Sequence, residues 1–554
     1  MRRPPKQPSP AKQRDAKKKP EGREIVSQPA TPPTPLSTTR LLPWTILLLV
    51  ILLAAMVRIR LLEIPLERDE GEYAFAGQLL LQGIPPYQEA FNMKFPGVYG
   101  AYAVIMAAFG QTIAGIHLGF LLLNAGTIVL VFLLGRRLFT PAAGVAAAAA
   151  YALLSVGAGV LGTQAHATHF VVAAALGATL LLLRAVDTGS PASLFLSGLL
   201  YGVAILMKQH GAFFAIFGGL YLAWNCWSRQ RGERLAMLRK FAIFVLGSAV
   251  PLALTALSLW HAGVFGSFWF WTVTYAREYA LETSLSVGMG AFTSAFPHVV
   301  GPNLLLWILA AAGLVMLWWK KADRVSAAFA SAFLIFSFLA VCPGLWFREH
   351  YFVLLLPAVA LLAGAAVSST PGIGWWLYGA VLVFSIGQQS DFLFRVSPVE
   401  ACRQIYGLNP FPEAIQVADY IRTHSEKTSR IAVLGSEPEI YFYSQRRSAT
   451  GYIYTYAMME PQPFALTMQN EMIRDLEKAR PEFVVFVNEA ASWVRRPGSQ
   501  AKILDWWNRY AAQNYNLAGA ADIFSDRTEF HWDNLESYRP HSSMYIAILR
   551  RIDK

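Results

Sequence analysis

Between positions 41 and 390 one apolar run follows another, separated by short polar segments. A helix that crosses a bilayer needs about 20 apolar residues. Backbone in lipid must satisfy its own hydrogen bonds, so runs of this kind fold as helices. The charge content agrees, at 15% of 554 residues, against roughly 25% in soluble domains. The 16 Trp and 35 Phe suit interfacial belts and helix packing. By length, spans fall at 41–57, 113–134, 141–160, 170–183, 194–207, 212–227, 241–260, 304–319, 325–341, 351–367 and 375–388, about eleven in all.

Lys and Arg set the orientation, because they collect on the cytoplasmic side. Basic clusters stand at 136–137, at 184, at 320–321 and at 229–240, where five Lys or Arg accompany one Glu. Segment 95–109 is apolar but short, opens on Pro96-Gly97 and stops at Gly110, so it reads as an interfacial or re-entrant helix. As a full span it would invert every later loop and put Arg136, Arg137 and the 229–240 cluster outside. With the basic clusters inside, the N-terminus is cytoplasmic and the tail beyond 390 is extracytoplasmic. Asp69, Glu70, Lys94, His166, His169, Lys208, His210, Arg348, Glu349 and His350 then share the outer side, as does a loop at 261–300.

The two ends differ from this middle. Residues 1–40 are rich in Pro, Lys, Arg, Ser and Thr, which predicts a disordered basic cytoplasmic tail. They lack a signal peptide's apolar centre, so the first span reads as an uncleaved anchor. Much of the net charge of +12 lies here and in inner loops, and no nucleic-acid partner is implied. Residues 391–554 alternate helices (413–424, 463–480, 500–515) with short apolar strands (430–435, 483–487, 544–549), the pattern of an α/β domain. Cys226, Cys342 and Cys402 form no metal or disulfide framework.

The run Arg68-Asp69-Glu70-Gly71-Glu72-Tyr73 is a charged loop between apolar stretches. Asp69 can cap a helix over 70–82, with Glu72 completing a capping box. One of these carboxylates can also serve as a general base for an attacking hydroxyl. Lys94, ahead of Phe95-Pro96-Gly97, reads either as a snorkelling interfacial lysine or as a cation for a phosphate leaving group. Lys208 interrupts an apolar run in Met207-Lys208-Gln209-His210-Gly211, a costly position that calls for an anionic partner. Arg348, beside Glu349 and His350, suits bidentate phosphate contact. His166 and His169, three apart, fit polar loop residues better than a metal pair.

Taken together, Arg68 to Ala74, Gly83-Ile84-Pro85-Pro86-Tyr87, Lys94 to Gly97, Lys208 to Gly211, His350 to Pro357 and Ile431 to Tyr443 resemble the GT-C glycosyltransferases. The match is to family 39-like members, relatives of the protein O-mannosyltransferases and the lipid A aminoarabinose transferase. The resemblance implies a multi-pass α-helical GT-C membrane domain over 41–390, followed by an extracytoplasmic α/β domain over 391–554. It implies inverting transfer of a hexosyl or pentosyl unit from a polyprenyl-phosphate donor to a lipid, glycan or protein acceptor, at the outer face of a bacterial inner membrane. The family's catalytic acid falls on Asp69, with Glu70 beside it. Lys94 and Lys208 match donor-phosphate lysines, and Arg348 and His350 join them. Met93 stands where the aminoarabinose transferase has a metal-binding Glu, and Glu89 is out of register. No metal ligand is assigned, no cofactor is certain, and a divalent metal stays open. The alternative from another class is a lipid or sugar transporter or flippase. Such proteins place ionisable groups near the midplane on repeated halves, and no repeat is visible here.

Overall fold

A computed structural model describes residues 1–2, 38–229, 234–319, 324–370, 372–535 and 537–552. The expectations for Lys320 and Lys321, and for the basic tail up to residue 37, lie outside the described residues. The helices follow the apolar runs: α1 (Thr38–Arg60), α2 (Arg68–Leu81), α3 (Gly97–Phe109), α4 (Ile113–Leu138), α5 (Pro141–Leu154), α6 (Ala167–Thr188), α7 (Pro191–Met207), α8 (Ala212–Arg229) and α9 (Arg234–His261). After them come α10 (Leu285–Val300), α11 (Leu304–Trp319), α12 (Arg324–Val341), α13 (Leu356–Ser369) and α14 (Ile373–Gln388). Among the described residues, six stretches are long and apolar enough to cross a membrane: Leu41–Arg60, Ile113–Leu138, Ala167–Thr188, Arg234–His261, Leu285–Trp319 and Arg324–Val341. The protein is an integral membrane protein.

Several other apolar helices are shorter, and their ends matter. A helix of 14 residues such as α13 rises only about 21 Å, less than the roughly 30 Å hydrocarbon core. The missing length is supplied by a 3₁₀ run, Glu349–Leu354, that leads into it. The 3₁₀ turn Gln209–Gly211 likewise joins α7 to α8. These tight turns hold His350 and Lys208 at helix ends rather than in mobile loops. The α3 helix has 13 residues, too short to span, as its sequence predicts. The 261–300 region departs from a plain loop. It contains α10 and a π-helical stretch, Phe270–Tyr275.

The tail builds one mixed six-stranded sheet in the order β2-β1-β3-β6-β4-β5. Its strands are β1 (Arg430–Leu434), β2 (Arg447–Ser448), β3 (Phe483–Asn488), β4 (Tyr515–Ile523), β5 (Thr528–Trp532) and β6 (Met544–Arg551). β1 pairs in parallel with β2 and β3, and β3–β6, β6–β4 and β4–β5 are antiparallel. Helices Phe411–His424, Ala465–Ala479 and Lys502–Asn514 stand where sequence periodicity predicts them. All three cysteines are free thiols.

The first loop is bound to the tail rather than hanging free. Phe91 N donates to Gly451 O at 2.8 Å, and Leu66 N to the Tyr443 hydroxyl at 2.9 Å. Phe75 stacks on Tyr441 with ring centres 5.1 Å apart. Glu89 accepts from Arg430 and from Arg447 Nε, at 2.9 and 2.8 Å, so it is committed to holding strands β1 and β2.

Candidate active site

Helix α2 begins one residue before Asp69. Its N-cap is Glu67, whose carboxylate accepts from Glu70 N at 3.0 Å. The capping role open to Asp69 therefore falls to Glu67. Glu72, expected to close the box, instead accepts from Tyr99 Oη and from Asn92 Nδ2. Asp69 is left free to face other side chains. Lys94 Nζ donates to its Oδ1 at 3.0 Å, the Tyr454 hydroxyl lies 3.5 Å from the same oxygen, and His350 Nε2 is 3.8 Å from Oδ2.

Two glycines make this meeting sterically allowed. A Cβ on Gly71 would lie 2.6 Å from Glu439 N, so only glycine lets α2 press against the tail helix Glu439–Ser444. A Cβ on Gly97 would lie 2.4 Å from Leu206 O. The start of α3 thus packs directly on the end of α7, and Gln209 Nε2 donates to Met93 O at 2.9 Å. Lys94 and Lys208, far apart in sequence, are brought to one place by that contact.

The cations differ in what they touch. Lys94 is paired with Asp69. Lys208 is buried, with Nζ 3.9 Å from the centre of the Tyr351 ring, and has no acceptor among the described residues. The Arg348 guanidinium lies 5.7 Å from the Trp346 ring centre and likewise has no carboxylate or carbonyl partner among them. A desolvated cation without an acceptor, as Lys208 is, is costly and calls for an anion; Arg348 is exposed at the cavity rim, open to the same anion.

Charge balance at the site follows from burial. Burial pushes the Asp69 carboxyl up, but Lys94, His166 and Lys208 outweigh it and hold the group well below the usual carboxylate range. Burial works against Lys94, yet Asp69 and Glu72 raise it. Burial and then Lys94 push the Lys208 ammonium down. Burial lowers His166 to about 4, so its ring is neutral at ordinary pH.

Glu70 turns away from this group. It is fully buried, accepting from Ala165 N at 2.6 Å and facing His117 Nε2 at 3.1 Å. His169 packs edge-on against Phe120, 4.7 Å between ring centres, and does not join His166. His210 Nδ1 sits 2.6 Å from Ala340 O.

A cavity of about 990 Å³ opens over Asp69, Lys94, His166, Arg348 and His350. Its far wall is made of residues that sequence reasoning missed. Trp271 and Tyr275 come from the π-helical stretch, and Tyr454, Tyr456, Glu460 and Arg496 come from the tail. The dense aromatic run from Tyr452 to Tyr456 was the available signal.

One trio could hold a divalent cation. Asp69, His166 and His350 each offer a ligand atom, all within 4.8 Å of one another. The two imidazoles are stacked 4.2 Å apart, and both His166 nitrogens are buried without a hydrogen bond. Two neutral imidazoles and a carboxylate suit a borderline metal.

Residues 95–261 match the family model described as dolichyl-phosphate-mannose-protein mannosyltransferase. No curated protein matches the chain by sequence. Among solved structures, ArnT from Cupriavidus metallidurans bound to undecaprenyl phosphate is 15% identical, with a TM-score of 0.59 over 91% of this chain and 97% of that one. The Archaeoglobus fulgidus oligosaccharyltransferase tethered to an acceptor peptide is 14% identical, with a TM-score of 0.52 over 89% and 74% of the two chains. AglB of the same organism, in complex with an inhibitory peptide and a dolichol-phosphate, is 14% identical, with a TM-score of 0.50 over 91% and 75%. The chain has the GT-C fold, and within it residues 95–261 are similar to the dolichyl-phosphate-mannose-protein mannosyltransferase family model.

Proposed function

We propose that this protein is a membrane glycosyltransferase that moves a sugar from a polyprenyl-phosphate donor to an acceptor hydroxyl, with inversion, on the extracytoplasmic face. The observation that carries the reading is one cavity edge where Asp69 meets Lys94, next to two cations, Lys208 and Arg348, that lack acceptors among the described residues. A phosphate head group supplies the missing anion. The undecaprenyl phosphate bound to ArnT and the dolichol-phosphate bound to AglB support a lipid phosphate in this fold.

In this reading the acceptor oxygen attacks the anomeric carbon from the face opposite the phosphate. The bond from that carbon to the phosphate oxygen breaks, and its electron pair leaves with the phosphate. Asp69 takes the acceptor proton. Lys208, Arg348 and Lys94 stabilise the charge that develops on the leaving group, and His350 lies beside them. As the phosphate draws on Lys94, Asp69 loses part of the field that depresses it and becomes a better base. Asp69, His166 and His350 would hold a divalent cation if one binds, and it would add positive charge near the phosphate. The chain divides functionally at about residue 390, with the catalytic membrane domain before it and an outer α/β domain after it.

The test is product analysis. Purified protein in lipid, given a polyprenyl-phospho-sugar, should release polyprenyl phosphate and form a glycoside of opposite anomeric configuration. Movement of the intact donor across the bilayer without glycoside formation would replace this reading with the transporter.

A further inference from the structure

The cavity extends well past the cations, and its distal wall has a different chemistry. We propose that tail segment 454–460 forms an acceptor subsite for a neutral, hydroxyl-rich carbohydrate; this rests on the donor reading above. Tyr454 places its hydroxyl 3.5 Å from Asp69 Oδ1, and its ring contacts Tyr456 with centres 5.4 Å apart. Glu460 ends the same segment, so one short stretch of chain leads from the acid into the distal cavity. Glu460 is 4% exposed. Tyr275 donates to its Oε2, and no hydrogen bond is made to Oε1 among the described residues. Trp271, from the π-helical stretch, lines the same cavity.

Charge decides which ligand fits. Arg496, the tail's cation at this wall, is paired with Glu282 and lies 4.9 Å from the Trp346 ring centre. Its charge is already met, so a phosphorylated acceptor gains little there. Burial pushes Glu460 up to about 7, opposed by the Tyr275 hydroxyl. A carboxyl near neutrality can both donate and accept, which suits hydroxyl groups better than a cationic peptide. The half-buried Tyr456 ring offers a flat apolar face with a polar rim, backed by the buried Tyr454 and Trp271. Such faces match the C–H surface of a sugar ring, whereas a hydrocarbon chain would leave the hydroxyl tips unpaired.

The experiment uses the full chain in nanodiscs and neutral hexose and pentose oligosaccharides as probes, with binding read by saturation-transfer NMR. A phosphorylated glycolipid head group and a Ser/Thr peptide are compared. A neutral oligosaccharide should bind. Glu460→Ala and Tyr456→Ala should each raise its Kd about tenfold, equivalent to roughly 1.4 kcal/mol. Glu460→Gln, which keeps hydrogen bonding, should change it less than threefold. Polyprenyl phosphate binding by each variant reports that it is folded. Binding of only the phosphorylated probe or the peptide, or oligosaccharide binding indifferent to both alanine variants, overturns the proposal. Failure of wild-type protein to bind polyprenyl phosphate would instead sink the donor reading.

Discussion

Replacing Arg68 with Leu removes the clamp that holds the first loop on the tail. Arg68 Nη2 donates to Glu437 Oε1 at 2.8 Å, and Nη1 to Asn409 Oδ1 at 2.7 Å. Glu437 is fully buried, and its other oxygen is taken by Ser436 N at 2.7 Å and Ser492 Oγ at 2.6 Å. Without the guanidinium, a buried carboxylate faces Glu439 and Glu489 with no cation. Breaking a buried pair from one side costs about 3–5 kcal/mol. For a cooperative unit of 150–250 residues this lowers Tm by roughly 6–20 °C. The double variant Arg68→Leu with Glu437→Leu removes both charges and should regain most of the stability. Thermal unfolding of purified protein, followed by tryptophan fluorescence, measures both effects. A single variant within about 1 kcal/mol of wild type, in the range of a surface pair, would refute the clamp.

Other outcomes follow from neighbouring residues. Gly71→Ala drives a Cβ into the Glu439 backbone at 2.6 Å, and such overpacking should cost about 1–3 kcal/mol in the same unfolding assay. Lys208→Met should lower kcat/KM for the donor by about 10- to 150-fold, the loss of a charge-assisted hydrogen bond worth roughly 1.5–3 kcal/mol. Because Lys208 is depressed, donor affinity in wild type should fall as pH rises through its lowered pKa, and a pH profile of KM should lose that limb in Lys208→Met. Glu70→Gln keeps an acceptor for Ala165 N, so sugar transfer should persist. Abolished transfer in a folded Glu70→Gln protein would return the chemistry to that residue.

Much of the membrane part was legible because its signals are one-dimensional. Apolar length located the helices, and basic clusters ordered them. Those clusters gathered Asp69, Lys94, His166, Lys208 and His350 at one end before any distance was known. What stayed hidden depends on contact. Asp69 reads as the cap of α2, yet in the fold the preceding Glu67 accepts from Glu70 N and takes that role. Glu70 looks as reactive as its neighbour until Ala165 N and His117 are found against it. Strand β4, Tyr-Asn-Leu-Ala-Gly-Ala-Ala-Asp-Ile, is rich in small residues of low strand propensity; pairing with β6 and β5 makes it a strand. The cavity's distal wall joins residues near 271, 456 and 496, and no local pattern links them.

Sugar transfer by Asp69→Asn protein tests the central claim most directly. The substitution keeps the side chain's size and its contact with Lys94 while removing the base. Transfer from a polyprenyl-phospho-sugar should fall by about 10²- to 10⁴-fold while polyprenyl phosphate still binds. Wild-type transfer rates in that variant would contradict the account.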